Sequence, residues 1–293
     1  MLYLLITYHC SMILQEVHNT VIQNLLALYD NREASNIADI LTEHITGNNR
    51  TDRIVYKNTI ITPQQYIEYK QAIERLLKHE PVQYLTSKAW FYKYPFYVNN
   101  SVLIPRPETE ELVDYILKEN TIKNPSIIDI GTGSGCIAIS LKKNLSADVT
   151  AIDVSKEALQ VAEKNAIDLA AEIQFKQIDF LDTNQWNKLG MYDIIVSNPP
   201  YIKYEENDSM RNNVLQHEPH LALFVENNDP LIFYRVIAQF GKIHLNNKGS
   251  IWLEINETLG IETKKLMENY SYQATIIIDL QGKDRMIKAT LSY

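Results

Sequence analysis

Apolar positions in the first third of the chain recur with the period of amphipathic helices. One run covers about residues 13–28, and a second covers 34–45 and stops at a Gly-Asn-Asn sequence. A third begins at a Thr-Pro pair and extends to about residue 79. This pair is a usual helix start, because threonine can cap a helix and proline is tolerated in its first turn. The pattern predicts a small helical bundle over residues 1–86.

Aromatic and polar residues alternate between positions 89 and 104, which is the period of β-strands. The alternation is centred on Asn99-Asn100 and predicts a β-hairpin linker over residues 87–105. The Pro-Arg-Pro sequence at the end of this segment favours extended backbone. We therefore expect the next helix to begin at Glu108 or Thr109.

Short apolar runs and amphipathic runs then alternate through residues 106–293, which we assign to a second domain. The apolar runs predict strands at about 126–130, 148–154, 173–179, 192–198, 250–256, 274–280 and 286–292. The amphipathic runs predict helices at about 136–143, 155–170, 229–244 and 258–269. Repeated strand–helix units imply a mostly parallel sheet covered on both faces. The last two strands are joined by Gln-Gly-Lys-Asp, which is too short for a parallel crossover. The predicted class is therefore α/β, with a doubly wound, mostly parallel seven-stranded sheet that ends in an antiparallel hairpin.

Composition and charge limit the classes of protein to which the chain can belong. Hydrophobic residues make up 45% of the 293 residues and charged residues 22%, as in ordinary globular proteins. The formal net charge is −8, and the acidic excess lies in residues 96–293. Proteins that bind nucleic acid usually carry a basic surface, so we expect no stable binding to nucleic acid.

The two cysteines, Cys10 and Cys136, cannot form a disulfide framework, which indicates a reducing compartment such as the cytoplasm. Neither cysteine has metal-ligand spacing and the seven histidines are scattered, so we expect no metal site. The first twelve residues lack the features of a signal peptide, and no run has the length of a membrane span. Met1 and Met12 both remain candidates for the natural start.

The tetrapeptide Asn198-Pro199-Pro200-Tyr201 closes one of the apolar runs. The side-chain oxygen of Asn198 and the carbonyl of Pro199 are two hydrogen-bond acceptors, and proline has no N–H that competes for them. A residue before proline is held extended, which fixes both acceptors at the strand end. The Tyr201 ring can stack on a flat group. These residues predict a site that holds a planar NH2 group by both hydrogens and presents its nitrogen to an electrophile.

A glycine-rich loop joins the strand at 126–130 to the following helix. It consists of Gly131, Thr132, Gly133, Ser134 and Gly135. Glycines at a strand-to-helix turn let the backbone approach a ligand closely. With Asp129 the spacing is Asp-x-Gly-x-Gly-x-Gly, whereas a dinucleotide-binding loop usually has Gly-x-Gly-x-x-Gly. The spacing favours S-adenosylmethionine as the ligand.

Two further strand ends carry groups that suit the same ligand. Asp153 ends the run at 148–153 and can accept hydrogen bonds from ribose hydroxyls. Asp179 and Phe180 end the next run, where the carboxylate can accept from an adenine amino group and the ring can pack on the base. Ligands of open α/β sheets bind at the carboxyl ends of strands. We therefore expect these residues, the loop and Asn198 to surround one cofactor.

Six segments together resemble the peptide chain release factor N5-glutamine methyltransferases over about residues 80–293. They are Glu-Pro-Val-Gln-Tyr-Leu at 80–85, Val-Leu-Ile-Pro-Arg-Pro-Glu-Thr-Glu at 102–110, Asp-Ile-Gly-Thr-Gly-Ser-Gly at 129–135, Ser-Asn-Pro-Pro-Tyr-Ile at 197–202, Glu-Pro with Ala-Leu at 218–223 and Gly-Lys-Asp-Arg-Met at 282–286. The resemblance implies the class I methyltransferase fold. That family usually has glycine where this chain has Ser87.

The resemblance also implies a substrate and a set of roles. The methyl acceptor would be the glutamine of the Gly-Gly-Gln tip of a release factor. Asn198 and Pro199 would hold its amide, and Tyr201 would pack on it. S-adenosylmethionine would lie against the glycine-rich loop, Asp153 and Phe180. The helical bundle would recognise the partner protein, and we expect a monomer.

Other activities fit some of the same residues. Adenine also presents a planar NH2 group, so an adenine N6 methyltransferase acting on nucleic acid is one alternative, although it would need a basic surface. A glutamine methyltransferase acting on a ribosomal protein is a second, because its active site would be the same. A protein that binds S-adenosylmethionine without catalysis is a third, which the intact Asn-Pro-Pro-Tyr sequence disfavours.

Overall fold

The computed structural model describes residues 12–292, apart from the side chains at positions 208 and 209. The choice between Met1 and Met12 as the natural start concerns residues 1–11, which lie outside this range. Two compact units are present. One comprises Met1–Thr86 with Asn212–His217, and the other comprises Ser87–Arg211 with Glu218–Tyr293, each as far as it is described.

The first unit is helical. Its helices are α1 (Leu14–Leu25), α2 (Asn31–Thr46), α3 (Arg50–Val55), α4 (Pro63–Leu76) and α5 (Val82–Thr86). Local sequence sets the helix ends: Asp30 accepts a hydrogen bond from the Glu33 N–H at the start of α2, and Gly47 ends that helix in the left-handed conformation. Apolar residues of α1, α2 and α4 form the core of this unit.

The second unit contains most of the remaining elements. Its strands are β1 (Lys88–Phe91), β2 (Tyr94–Tyr97), β3 (Ser126–Ile130), β4 (Asp148–Asp153), β5 (Gln174–Gln177), β6 (Tyr192–Ser197), β7 (Ile202–Lys203), β8 (Phe224–Val225), β9 (Leu245–Glu254), β10 (Tyr272–Ile278) and β11 (Asp284–Leu291). Its α-helices are α6 (Pro107–Glu119), α7 (Cys136–Asn144), α8 (Lys156–Asp168), α10 (Ile232–His244) and α11 (Gly260–Asn269). The short helix α9 (Asn212–His217) lies between α8 and α10 in the sequence but belongs to the first unit. Short 3-10 helices lie at Thr183–Lys188, Tyr204–Ser209, His220–Ala222 and Glu257–Leu259.

Seven strands form the central sheet in the order β10-β11-β9-β6-β3-β4-β5. The strands from β9 to β5 pair in parallel, and β11 pairs antiparallel with both β9 and β10. The predicted fold class is therefore confirmed, including the antiparallel hairpin at the end. The main strand boundary that differs is that of β9, which begins at Leu245 rather than near residue 250.

The sequence prediction for residues 212–217 differs from the structure. The predicted second domain includes this stretch, whereas α9 groups with the helical unit. The Nε2 atom of His217 lies 2.9 Å from the carbonyl oxygen of Lys78, just beyond the end of α4. No apolar periodicity marks so short a helix, so this arrangement cannot be predicted from the local sequence.

The hairpin of the linker is present, but its predicted turn was wrong. Phe91 pairs with Tyr94, so the turn consists of Tyr92 and Lys93 rather than the two asparagines. Both turn residues have positive φ, +45° and +75°, as a two-residue turn of the I′ type requires. Such turns usually contain Asn or Gly, which explains why the sequence pointed to Asn99. That residue instead accepts a hydrogen bond from the Ser101 N–H at 2.9 Å.

The start of α6 was also predicted one or two residues too late. Arg106 is the extended N-cap residue, and Pro107 occupies the first turn. Thr109 therefore lies inside the first turn and is buried. In the part of the chain that the structure describes, no helix is both long and apolar enough to cross a membrane.

Candidate active site

A cavity of about 340 Å³ lies at the carboxyl ends of the central parallel strands in the second unit. Residues after β3, β4 and β6 line it, together with residues from the segment before α6. Those predicted from the sequence are Gly131, Thr132, Gly133, Ser134, Asp153, Asp179, Phe180, Asn198, Pro199 and Pro200. The strand order thus brings together groups that are up to about 70 residues apart in the sequence.

The glycine-rich loop forms one wall of the cavity. The N–H groups of Gly131 and Thr132 both donate to the Ile152 carbonyl at 2.9 Å, which holds the loop against the end of β4. Gly131 and Gly133 have φ values of +72° and +54°, and a Cβ atom on either would project into open space. This open backbone surface is what a ligand needs to approach the loop closely.

Two carboxylates hold the loop in place. Asp153 accepts hydrogen bonds from the Gly133 and Ser155 N–H groups, both at 2.9 Å. Each of its oxygens keeps capacity for a further donor. Burial raises the pKa of the Asp153 carboxyl. Asp129, beneath the loop, accepts from the Thr132 hydroxyl at 2.6 Å, and burial raises its pKa to about 7.

The end of the cavity that includes the residues after β5 is apolar. Ile152, Ile178 and Leu181 line it with Phe180, whose ring lies 5.6 Å from that of Trp186 and is almost fully buried. Asp179 is the acidic group at this end, and its side chain accepts from the Leu181 N–H at 3.1 Å. An apolar slot with a carboxylate at its edge suits a base that carries an amino group.

The Asn-Pro-Pro-Tyr segment follows β6 directly. The Ser197 hydroxyl donates to the Ile130 carbonyl at 2.7 Å, which joins the ends of β6 and β3. The Asn198 side-chain NH2 group donates to the Thr109 hydroxyl oxygen at 3.2 Å. The Thr109 hydroxyl in turn donates to Glu254 at 2.6 Å, and the Tyr201 hydroxyl donates to the other oxygen of Glu254 at 3.3 Å.

Two predicted site residues lie beside the cavity rather than in its wall. A Cβ atom on Gly135 would come within 3.1 Å of Ile139 and 3.2 Å of Ala162, so this glycine allows α7 and α8 to pack closely. The Tyr201 ring packs against the hydrophobic core, and burial raises the pKa of its hydroxyl. Among residues 12–292, no three His, Cys, Asp or Glu side chains are grouped so as to hold a metal ion.

The sequence prediction missed Thr109 and Glu254 as site residues. Glu254 is the last residue of β9, so the strand-end rule that identified Asp153 could also have identified it. The sequence analysis left Glu218 without a role. In the structure its buried carboxylate accepts from Arg106 at 2.6 Å and from the Ile104 N–H at 3.2 Å.

Comparisons with family models and with related proteins indicate the same protein family. Residues 20–86 match the PrmC N-terminal domain, and residues 108–222 match the Methyltransferase small domain. A release factor glutamine methyltransferase of Flavobacterium psychrophilum is 43% identical, over 94% of this chain and 99% of that protein. One from Bacteroides thetaiotaomicron is 42% identical, over 91% of this chain and 96% of that protein. This chain belongs to the release factor glutamine methyltransferase family. The resemblance drawn from the six sequence segments is thereby confirmed.

Membership in this family makes the chain an S-adenosylmethionine-dependent methyltransferase. A solved 16S rRNA methyltransferase of T. thermophilus, in complex with AdoMet and guanosine, shares the fold with a TM-score of 0.51 at 16% identity. The structural match extends over 70% of this chain and 50% of the other protein's chain. The cavity fits the cofactor, because the open glycine backbone, the Asp153 carboxylate and the apolar slot offer complementary surfaces to its charged, ribose and base portions.

Proposed function

We propose that this enzyme transfers a methyl group from S-adenosylmethionine to the side-chain N5 of the glutamine in the Gly-Gly-Gln motif of peptide chain release factors. The observation that carries the proposal is the position of Asn198 and Pro199 in the cavity wall, next to the glycine-rich loop. Family membership supports the same acceptor, because the relatives are named for it.

The acceptor nitrogen requires positioning more than activation by a strong base. The lone pair of an amide nitrogen is delocalised, and the nitrogen becomes acidic once it is alkylated. Asn198 Oδ1 and the Pro199 carbonyl accept from its two hydrogens and so aim the nitrogen into the cavity. S-adenosylmethionine supplies an electrophilic methyl group when it is bound. Alignment of reacting groups can account for about 7–11 kcal/mol of a reaction barrier.

The remaining site residues divide between the two ligands. Gly131, Thr132, Gly133, Ser134 and Asp153 hold the cofactor by its amino acid and ribose portions, and Gly135 keeps the loop close to the helix behind it. Asp179 and Phe180 hold the base. Pro200 and Tyr201 shape the substrate side of the cavity, where Tyr201 also anchors Glu254.

The helical unit recognises the release factor in this proposal. Its core is separate from that of the second unit, and its residues 20–86 match the PrmC N-terminal domain. We also propose that the enzyme acts as a monomer in the cytoplasm, where release factors are found. The acidic net charge of −8 supports a protein rather than a nucleic acid as the substrate.

A labelling experiment tests the proposed function. Purified release factor and a variant with Gln→Ala in its Gly-Gly-Gln motif are each incubated with the enzyme and S-adenosylmethionine labelled in its methyl group. We expect label on the unaltered release factor alone. If parallel reactions with ribosomal protein or nucleic acid take up label while the release factor takes up none, the methyl-transfer chemistry stands and the proposed substrate is refuted.

A further inference from the structure

Three side chains from distant parts of the second unit form a hydrogen-bonded chain at the cavity. Asn198 follows β6, Thr109 lies in the first turn of α6, and Glu254 ends β9. The Asn198 NH2 group lies 3.2 Å from the Thr109 hydroxyl, which lies 2.6 Å from Glu254. Thr109 and Glu254 are each only 2% exposed, so water does not replace these contacts.

The chemistry of these groups fixes which group donates and which accepts in each hydrogen bond of this series. While Glu254 is ionised, its carboxylate only accepts hydrogen bonds, and a threonine hydroxyl has a single hydrogen to donate. Because Thr109 donates that hydrogen to Glu254, it can only accept from Asn198. The NH2 end of the Asn198 amide must therefore face Thr109, which leaves Oδ1 as the end available to a ligand in the cavity.

The second oxygen of Glu254 is also engaged. It accepts from the Tyr201 hydroxyl at 3.3 Å, so both oxygens of this buried carboxylate have a hydroxyl donor. Burial raises the pKa of Glu254, while the Thr109 hydrogen bond and the positive charge of Arg285 act in the opposite direction. A buried carboxylate is costly for folding unless it is hydrogen-bonded, and a hydrophobic residue would often be at least as stable in its place.

We propose that Thr109, oriented by Glu254, is a positioning residue that determines which end of the Asn198 amide faces the methyl-accepting nitrogen. The inference rests on the proposed function. With Oδ1 toward the cavity, Asn198 accepts a hydrogen from the substrate amide. With the amide reversed, two NH2 groups would face each other, and the acceptor that holds the substrate nitrogen would be lost.

Thr109→Val tests this inference, because it removes the hydroxyl and nearly keeps the shape of the side chain. We expect kcat to fall by up to about 100-fold, as a misplaced catalytic contact can cause. The dissociation constant for S-adenosylmethionine, measured by calorimetry, should change less than about twofold, because Thr109 acts through Asn198. Thr109→Ser keeps the hydroxyl and is the matched control, with kcat near that of the unaltered enzyme.

A double-mutant cycle distinguishes positioning from a merely structural effect. If Thr109 acts through the Asn198 amide, Thr109→Val should lower kcat no further in an Asn198→Ala background. An equal fall in both backgrounds, or an unchanged kcat in the single variant, would overturn the inference. Should Thr109→Val fail to fold, Glu254→Gln serves instead. Its amide can donate to Thr109 and so reverse Asn198, and its loss of kcat should likewise vanish in the Asn198→Ala background.

The unaltered enzyme is assayed in parallel on release factor. If it labels the release factor while Thr109→Val is equally active, only the inference fails. If it labels no release factor at all, the proposed function fails, and the inference fails with it.

Discussion

At the scale of single residues, Ser87 has a backbone conformation that its side chain disfavours. Its φ of +52° lies in the left-handed region, where crowding of Cβ costs roughly 1–2 kcal/mol in residues other than glycine. Glycine avoids this crowding, but its greater freedom in the unfolded chain offsets roughly 0.4–1 kcal/mol of the gain. The first effect is the larger one, so glycine at this position should be the more stable residue.

We expect Ser87→Gly to raise the free energy of unfolding by about 0.5–1 kcal/mol. Urea-induced unfolding monitored by circular dichroism measures the change. Ser87→Ala is the matched control, because it removes the hydroxyl but keeps Cβ, and it should give no gain. If the glycine variant were no more stable than the alanine variant, the conformation at this position would carry no appreciable strain.

The sequence marked individual site residues where chemistry and position coincided. Asn198 stands out because two prolines follow it, and Asp153 because it ends an apolar run. No such sequence signal identifies Thr109. Its role depends on a contact with Glu254, 145 residues later in the chain, and no local pattern encodes a contact at that separation. Only the packing of α6 against β9 brings the two together.

At the scale of elements, the ion pair between Arg106 and Glu218 joins the start of α6 to the segment after α9. Glu218 has a side chain that is only 1% exposed, whereas Arg106 is 31% exposed. Pro219 and Leu221, close behind Glu218, line the cavity with Arg106 itself. The pair therefore holds one wall of the active site against the beginning of a helix.

Arg106→Met should lower the free energy of unfolding by about 1–3 kcal/mol, because it leaves the buried carboxylate of Glu218 without its charged donor. The control is Lys164→Met, which breaks an exposed pair between Lys164 and Asp168 on α8. Pairs of that kind contribute only about 0.3–0.5 kcal/mol. Chemical denaturation of the two variants side by side provides the comparison, and equal losses would mean that burial adds nothing to the Arg106 pair.

Elements with a strong apolar period were predicted to within a few residues, as α7 and β3 show. The prediction failed where tertiary structure overrides local preference. Tyr92 and Lys93 form a turn that usually takes Asn or Gly, and packing of Phe91 on Phe96, with ring centroids 6.1 Å apart, fixes the pairing of β1 and β2 instead. The two-residue strands β7 and β8 are too short to carry any period.

At the scale of the whole molecule, the proposed division of labour assigns substrate recognition to the helical unit. Helix α3 has no buried residue, and Ile54 and Val55 on it are 58% and 66% exposed. Tyr56, just after the helix, is 54% exposed. Exposed apolar and aromatic side chains of this kind are typical of surfaces that bind a protein partner.

We therefore expect the double variant Ile54→Ser with Val55→Ser to raise KM for intact release factor by about 5- to 30-fold, equivalent to 1–2 kcal/mol. The dissociation constant for S-adenosylmethionine should be unchanged. Ile167→Ser on α8 is the control, because Ile167 is 78% exposed but lies in the second unit. A similar rise in KM in the control, or none in the double variant, would argue against α3 as a recognition surface.

The position of Glu254 has a consequence for the enzyme during its own synthesis. Strand β9 lies between β6 and β11, and Glu254 pairs with Met286 of the last strand. A chain emerging from the ribosome can form its helical unit early, because most of that unit is contiguous, but β9 lacks its outer neighbour until β11 has been made. Until then Glu254 is not held in place to accept the hydrogen bond from Thr109. We therefore expect a nascent chain that ends before β11 to lack the ordered contact between Thr109 and Glu254, and to transfer methyl groups more slowly than a chain that contains β11.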